Sequence, residues 1–244
     1  MKIALIGCMV LAREVSYALY QSKNIVQCSW LEQGLHNTPD ALRQRLQDEI
    51  NRIEDYQETL IPEQKADAIV LAYGLCSNGV VGLRSRTLPL VVPRCDDCIS
   101  LFLGSRQRYL DLFHSHKGVY WFTKGWVENA FIPSLENYDA LRAQYTELYG
   151  EENAQYLMEV ETGYIKNYEN AFFVKSPIYD DSAEAQKVQD TAAQFGWNFK
   201  MELGDMGYIV DLLEGNWDEE RFLVCPPRKM IVADYEGKKI AEGE

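Results

Sequence analysis

The sequence is short of two features, long apolar runs and clustered positive charge. Nowhere do 18 apolar residues follow one another without a charged residue, so we expect no membrane span. The 24 Lys and Arg residues are outnumbered by 37 Asp and Glu residues and form no cluster. Because a nucleic-acid backbone is bound by clustered Lys and Arg, we expect no nucleic-acid partner. The net charge of −13 favours a soluble protein that docks to a basic patch on another protein.

Targeting signals and the common nucleotide-binding or hydrolase motifs are also missing. The apolar run at the N-terminus is short and is followed by Arg13 and Glu14, so we interpret it as a buried strand rather than a signal peptide. No phosphate-binding loop, dinucleotide fingerprint, nucleophile elbow or zinc-protease motif is present. We therefore expect a cytoplasmic protein whose six cysteines serve packing, metal ligation or reactivity rather than structural disulfides.

Short apolar runs alternate with amphipathic segments, a pattern typical of βαβ units and a parallel sheet. Helices are predicted between the strands, together with a helical insertion at about 134–168, where Tyr, Glu and Gln are frequent. The fold class that follows is α/β, an open, mostly parallel sheet with helices on both faces, in one domain over residues 1–244. The strands are predicted at 2–7, 26–31, 68–73, 88–92, 118–122, 171–175, 198–202 and 222–224.

Cysteines follow three of the predicted core strands. Cys8 comes directly after the first strand, Cys76 follows the third, and Cys95 and Cys98 follow the fourth as a Cys-x-x-Cys. Because the carboxyl ends of parallel strands meet at one edge of a sheet, these residues become neighbours. Thiolates are the preferred ligands of zinc and of iron–sulfur centres. The sequence therefore predicts a metal site held by Cys8, Cys76 and Cys98, with Cys95 as the fourth ligand or beside the centre.

Two other interpretations of the cysteines stay open at this stage. Cysteine is among the most buried residue types and often packs as a small apolar side chain, the role we assign to Cys28 and Cys225. The Cys95–Cys98 pair also has the spacing of a redox-active dithiol at the start of a helix. We favour Cys95 over Asp96 as a fourth ligand, because a carboxylate is a poorer ligand for a soft metal.

Four further residues that follow the same strands, or the fifth strand, are predicted to line a pocket with the cysteines. Arg94 is expected to offset the negative charge of the thiolates, and Asn78 to donate hydrogen bonds to sulfur. Tyr73 and Trp126 complete this predicted lining. Carboxylates suited to acid–base chemistry also lie nearby in the sequence, at Glu14, Asp96, Asp97 and Glu128.

Several segments in combination resemble a conserved family of proteins of unknown function. The resemblance extends from Cys8 to about Pro227. The motifs that carry it are Ile-Gly-Cys at 6–8, Tyr-Gly-Leu-Cys-Ser-Asn-Gly at 73–79, Pro-Arg-Cys-Asp-Asp-Cys at 93–98, Tyr-Trp-Phe-Thr-Lys-Gly-Trp at 120–126 and Leu-Leu-Glu-Gly-Asn-Trp at 212–217. The family is known from anaerobic bacteria and methanogens, often encoded near corrinoid-dependent methyltransferases. The resemblance thus implies anaerobic, corrinoid-linked one-carbon metabolism.

Three functional hypotheses follow, and they leave open whether the chain is an enzyme. The first is an iron–sulfur protein, with a [4Fe–4S] cluster favoured by the anaerobic context and zinc as the alternative. If three cysteines bind, one iron is open to substrate, an arrangement similar to that of quinolinate synthase. The second is an accessory protein, with structural zinc or no metal, that binds a corrinoid protein or methyltransferase component. The third is a zinc–thiolate methyltransferase that activates a thiol acceptor such as coenzyme M or homocysteine. Self-association into a homo-oligomer is compatible with each.

Overall fold

The structure is a computed structural model that describes residues 1–235 and 237–244. The contacts of these residues gather into two compact units. The first consists of Met1–Tyr109 together with Gly204–Glu244, and the second of Leu110–Leu203. The prediction of one domain over residues 1–244 stays a prediction.

The first unit is built on a five-stranded sheet. Four strands, in the order β2-β1-β3-β4, run parallel, and β8 closes the edge beside β4 in the antiparallel direction. This arrangement confirms the predicted α/β class and mostly parallel sheet. The strands are β1 (Lys2–Cys8), β2 (Ile25–Leu31), β3 (Ala68–Ala72), β4 (Leu90–Pro93) and β8 (Phe222–Cys225).

The central position of β1 and β3 follows from their apolar sequence. Every residue of β3 is buried, and β1 is buried from Ile3 to Gly7, so both strands are covered on both faces. β1 pairs with β2 on one side and with β3 on the other. The carboxyl ends of these strands therefore lie side by side at one edge of the sheet.

Helices surround this sheet. The second helix buries Leu42, Leu46, Ile50 and Ile53, the apolar stripe that the sequence predicts, and Pro39 occupies its first turn. Thr38 stands at its N-cap but makes no side-chain capping hydrogen bond. The helices are α1 (Ala12–Gln21), α2 (Pro39–Glu58), α3 (Ile99–Phe102), α4 (Arg106–Ser115), which begins in this unit, and α9 (Gly207–Glu214).

The C-terminal residues form an antiparallel hairpin that the sequence analysis did not predict. Its strands are β9 (Met230–Asp234) and β10 (Lys239–Gly243), and the carboxylate of Asp234 accepts hydrogen bonds from the backbone N–H groups of Gly237 and Lys238 at 2.9 and 2.8 Å. Ile231 and Ile240 are fully buried in the core of the first unit. The hairpin is thus packed onto this unit by one apolar side chain from each strand.

The second unit has a parallel sheet of its own, in the order β5-β6-β7. The strands predicted at 118–122, 171–175 and 198–202 therefore do not extend the first sheet. The reason is that the open edge of β4 pairs with β8. The strands and helices of this unit are β5 (Val119–Phe122), α5 (Lys124–Asn129), α6 (Leu135–Tyr149), α7 (Glu151–Thr162), β6 (Asn170–Lys175), α8 (Ser182–Phe195) and β7 (Asn198–Leu203).

The helical insertion predicted at about 134–168 is present between β5 and β6. It consists of α6 and α7, which pack against each other, followed by a short 3-10 turn at Ile165–Asn167. Ser134 caps α6, since its hydroxyl accepts a hydrogen bond from the backbone N–H of Asn137 at 3.1 Å. Among the helices of the described residues, none has the length and apolar character needed to cross a membrane.

A buried carboxylate links α2 to the segment that leads into β4. Glu54 is 1% exposed and accepts hydrogen bonds from the backbone N–H groups of Arg86 and Thr87, at 2.9 and 2.6 Å, and from the Thr87 hydroxyl at 2.8 Å. Burial alone raises the pKa of Glu54, but these hydrogen bonds outweigh it and lower the pKa. The ionised carboxylate is therefore a structural component of the first unit.

We predict that Glu54→Gln lowers the free energy of unfolding by about 1–3 kcal/mol at neutral pH, the usual cost of disrupting buried hydrogen bonds to a charged group. Because the folded pKa is lowered, this stabilisation is complete above the unfolded pKa of about 4.3 and is lost as the pH falls through the folded pKa. Urea unfolding of both proteins across this range measures it. Glu58→Gln, on the exposed face of α2, is the control. A constant difference down to low pH would contradict the prediction.

Candidate functional site

The cysteines predicted to share a site follow three adjacent strands of the first unit. Cys8 is the last residue of β1, Cys76 lies in the loop after β3, and Cys95 and Cys98 lie between β4 and α3. Cys8, Cys76 and Cys98 are partly buried, whereas Cys95 is fully buried. All four are free thiols.

Two backbone hydrogen bonds join the loop after β3 to the loop after β4. The N–H of Leu75 donates to the carbonyl of Cys95 at 2.9 Å, and the N–H of Cys76 donates to the carbonyl of Asp96 at 3.1 Å. Gly74 lets the two loops come this close, because a Cβ at this position would lie 2.6 Å from the backbone of Asp97. The loops are therefore fixed to each other at the residues that carry the thiols.

The loop after β3 turns in a backbone conformation that is costly for its residues. Cys76, Ser77 and Asn78 have φ values of 45°, 58° and 65°, so three consecutive residues other than glycine are left-handed. Each such residue costs roughly 1–2 kcal/mol relative to a right-handed conformation. The N–H of Gly79 closes the turn on the carbonyl of Cys76 at 3.1 Å. Strain of this kind is concentrated at functional sites.

Cys76 is at the centre of the thiol group. Burial, followed by the negative charges of Asp97 and Cys8, raises its pKa to about 12. The backbone N–H groups of Gly74 and Cys98 act against this, since they donate to the Cys76 sulfur. The hydrogen bond from Cys98 shows that the main chain of the second loop lies against the sulfur of the first.

Cys8 and Cys98 lie within the electrostatic field of Cys76. Burial raises the pKa of Cys98 well above its usual value, and the nearby Cys76, Asp97 and Cys8 add to this effect. Burial also raises the pKa of Cys8, while N–H groups of Val10 and Met9 lower it by donating to its sulfur. The charges of Cys8 and Cys76 thus act on Cys98, and the charge of Cys8 acts on Cys76.

Cys95 occupies a different position from the other three. It is 0% exposed, and burial followed by the charges of Asp97 and Cys76 raises its pKa. Its thiol also acts on Tyr208 of α9, whose hydroxyl donates to the carbonyl of Arg221 at 2.8 Å. Cys95 therefore lies close to Cys76 and also close to Tyr208 of α9.

Two buried hydroxyl groups near the thiols have no hydrogen-bond partner of normal geometry among the described residues. They belong to Tyr73, three residues before Cys76, and to Ser100, two residues after Cys98. Tyr73 is 3% exposed, and its hydroxyl lies close enough to the Cys8 sulfur to lower the pKa of that thiol. Burial raises the pKa of Tyr73 itself, so the phenol stays protonated and is available as a donor. The Ser100 hydroxyl, which is buried without an acceptor among these residues, costs about 1–3 kcal/mol.

These observations fit a thiolate-bound centre by the chemistry of the donors. A negatively charged sulfur cluster is stabilised by soft sulfur ligands, by backbone N–H groups that point at the sulfurs and by hydroxyl donors that are otherwise unsatisfied. Here the backbone N–H groups point at two of the sulfurs. As the side chains stand in residues 1–235 and 237–244, no three His, Cys, Asp or Glu groups are arranged to hold a metal ion. The four-cysteine ligand set stays a prediction.

Comparison with known proteins assigns the chain to one family. The family described as "Protein of unknown function (DUF1638)" matches residues 30–213, more than half of the chain. The chain belongs to this family. No curated protein and no solved structure matches it. The matched range contains Cys76, Cys95 and Cys98, whereas Cys8 and the C-terminal hairpin lie outside it.

Arg94 of this DUF1638 protein makes contacts that differ from those expected of a counter-charge to the thiolates. Its guanidinium donates to the backbone carbonyls of Phe222 at 3.1 Å, Lys238 at 3.3 Å and Ile240. Burial lowers its pKa, and Asp234 and Glu220 act in the opposite direction. These contacts favour a role of Arg94 in attaching the C-terminal hairpin to β8 and to the cysteine loop.

Asp96, between Cys95 and Cys98, is held by two cations that the sequence analysis missed. Lys239 of β10 lies 2.7 Å from one carboxylate oxygen, and the Nε of Arg106 lies 3.6 Å from the other. The sequence offers one signal for such a pair, a carboxylate set between two thiols, which needs a positive neighbour. It does not reveal which of the 24 Lys and Arg residues supplies it.

The remaining predicted residues have separate positions. Asn78 is the last residue of the left-handed turn and is partly buried. Trp126 lies in α5 of the second unit, where its backbone N–H donates to the Thr123 hydroxyl oxygen at 3.1 Å and its side chain packs on the apolar core. Cys28 lies within β2 opposite Leu5 and is partly rather than fully buried. Cys225 is a core residue of the first unit, and burial raises its pKa to about 11.

We predict that Gly74→Ala separates the two cysteine loops, because the added Cβ meets the backbone of Asp97, which cannot rotate away. The expected cost is about 1–3 kcal/mol of unfolding free energy, as for other overpacked sites. The thiols should also react faster with iodoacetamide. Gly34→Ala is the control, since a Cβ there meets nothing within 4 Å and carries only the cost of its positive φ. Equal losses in both variants would show that the close approach at Gly74 is unimportant.

Proposed function

We propose that this protein binds an iron–sulfur centre, with a [4Fe–4S] cluster favoured, through the thiolates of Cys8, Cys76 and Cys98. The observation that carries the proposal is that three thiols beyond the ends of three adjacent parallel strands lie within range of one another's charge. Each of the three interacts electrostatically with the other two. Ligands supplied from strand ends that are far apart in sequence are typical of sites in parallel α/β sheets.

The surroundings of the sulfurs support a cluster bound as thiolates. A buried thiolate is unfavourable unless hydrogen bonds or positive charge stabilise it, which is why burial raises the pKa of each thiol here. Val10 and Met9 donate to Cys8, and Gly74 and Cys98 donate to Cys76. Such N–H donors to ligand sulfur help to set the stability and potential of iron–sulfur clusters.

Cys95 is better placed as a support of the centre than as its fourth ligand. It is the most buried of the four thiols and acts on Tyr208, on the side of α9. With three protein thiolates, the bound cluster would present one iron as a Lewis acid to a substrate oxygen or nitrogen. Tyr73, with its buried hydroxyl beside Cys8, is the group of this chain best suited to donate a hydrogen bond there.

Zinc is the alternative occupant, since the same thiolates suit a structural zinc site or a zinc–thiolate methyltransferase. The link to anaerobic, corrinoid-dependent methyl transfer, and with it a cytoplasmic location, is supported by the family resemblance of the sequence motifs. An accessory protein that binds a corrinoid protein is the second candidate under that link. The net charge of −13 is compatible with a basic docking partner. Co-purification with a defined corrinoid protein tests this candidate.

We predict that the anaerobically purified protein is brown, absorbs near about 400 nm and contains iron and acid-labile sulfide, as thiolate-bound clusters do. Replacing Cys8, Cys76 or Cys98 by Ser should each abolish the absorption and the iron content. Cys28→Ser is the matched control, because Cys28 lies within β2.

The Cys95→Ser variant separates the two ligand sets. If Cys95 only supports the centre, the variant keeps much of its iron and the absorption near about 400 nm. A loss as complete as that of Cys76→Ser would make Cys95 the fourth ligand. A colourless wild-type protein with stoichiometric zinc would refute the iron–sulfur proposal.

A further inference from the structure

The C-terminal hairpin is attached to the loop that carries Cys95 and Cys98 through two side chains of that loop. The guanidinium of Arg94 donates to the carbonyls of Lys238 and Ile240, on either side of Lys239. The ammonium group of Lys239 reaches back to the carboxylate of Asp96 at 2.7 Å. Residues 238–240 are therefore held both by their backbone and by a side chain.

The backbone of Lys239 is in a conformation that lysine rarely adopts. Its φ is +74°, in the left-handed region. A residue stays in such a conformation only when its surroundings determine it from several sides. Here the two carbonyls bound by Arg94 flank it, and the fully buried Ile240 follows it. From this backbone position the Lys239 ammonium group contacts Asp96.

The charge around Asp96 suits a negative centre beside it. One carboxylate lies between two cations, Lys239 at 2.7 Å and Arg106 at 3.6 Å, so the trio carries a net positive charge that offsets the neighbouring Asp97 carboxylate. The side chains of Asp96 and Lys239 are 29% and 31% exposed, which leaves their interaction partly shielded from solvent. Cys98 is two residues from Asp96. A metal-bound thiolate at Cys98 would therefore experience this positive charge.

We propose that Lys239 is a positioning residue of the thiol site, which holds the Cys95–Cys98 loop through Asp96 and balances the negative charge of the bound centre. The inference rests on the proposed function in its second part, the charge balance. Its first part, the holding of the loop, applies equally to the metal-free protein. The C-terminal strand, outside the range that matches the family, thereby becomes part of the site.

The test compares three variants of the full-length protein purified anaerobically. Lys239→Met removes the charge, Lys239→Arg keeps it, and Lys238→Met is the control at the neighbouring residue, which pairs with Glu220 instead. Iron release to a chelator is followed by the loss of absorption near about 400 nm. We expect Lys239→Met to release iron about fivefold faster, as the loss of such an ion pair allows. Lys239→Arg should restore most of the retention, and Lys238→Met should match the wild type.

The metal-free proteins give a second readout that does not depend on the centre. Alkylation of Cys95 and Cys98 by iodoacetamide, followed by mass spectrometry, reports how often the loop opens. We expect faster alkylation in Lys239→Met and in Asp96→Asn, with the circular dichroism of the wild type retained. Unchanged alkylation in both variants would overturn the inference, whatever the metal content. A wild type without iron would refute the proposed function alone, because the alkylation rates would still decide the role of Lys239.

Discussion

The backbone contact between the loops after β3 and β4 is the constraint on which the thiol site depends. Two hydrogen bonds, from Leu75 to Cys95 and from Cys76 to Asp96, set the spacing of the two loops, and Gly74 leaves room for them. Cys8 needs no comparable loop, since it ends a strand that is already paired with β3. The parallel sheet thus brings the first thiol into place, and the loop contact brings the others.

The parts of this arrangement that could be predicted are those that local pattern determines. The runs around β1 and β3 are apolar on both faces, so their central position in a parallel sheet could be predicted. The stripe of α2 has helical spacing and is buried as expected. The neighbourhood of Cys8, Cys76 and Cys98 then follows, because residues just beyond parallel strands converge at one edge.

The features that could not be predicted depend on contacts between residues far apart in the sequence. All four residues of β8 are apolar, and an apolar run has the same pattern whether the strand is parallel or antiparallel to its neighbour. Periodicity therefore did not reveal that β8 runs antiparallel to β4. That pairing closes the edge of the first sheet, which is why the later strands form a separate one. Arg94 was placed near the thiols by sequence position, but the hairpin that binds its guanidinium was not predicted. The partner of Asp96 was missed for the same reason.

At this edge of the sheet, the usual rules of backbone conformation and hydrogen bonding are broken in several independent ways. Three consecutive non-glycine residues are left-handed at Cys76–Asn78, and Lys239 is left-handed as well. Buried hydroxyls at Tyr73 and Ser100 have no partner of normal geometry in the described chain. Strain and unsatisfied donors each destabilise a fold, and proteins retain them mainly where function requires them. Their concentration around the thiols supports a binding site on grounds that do not depend on the family resemblance.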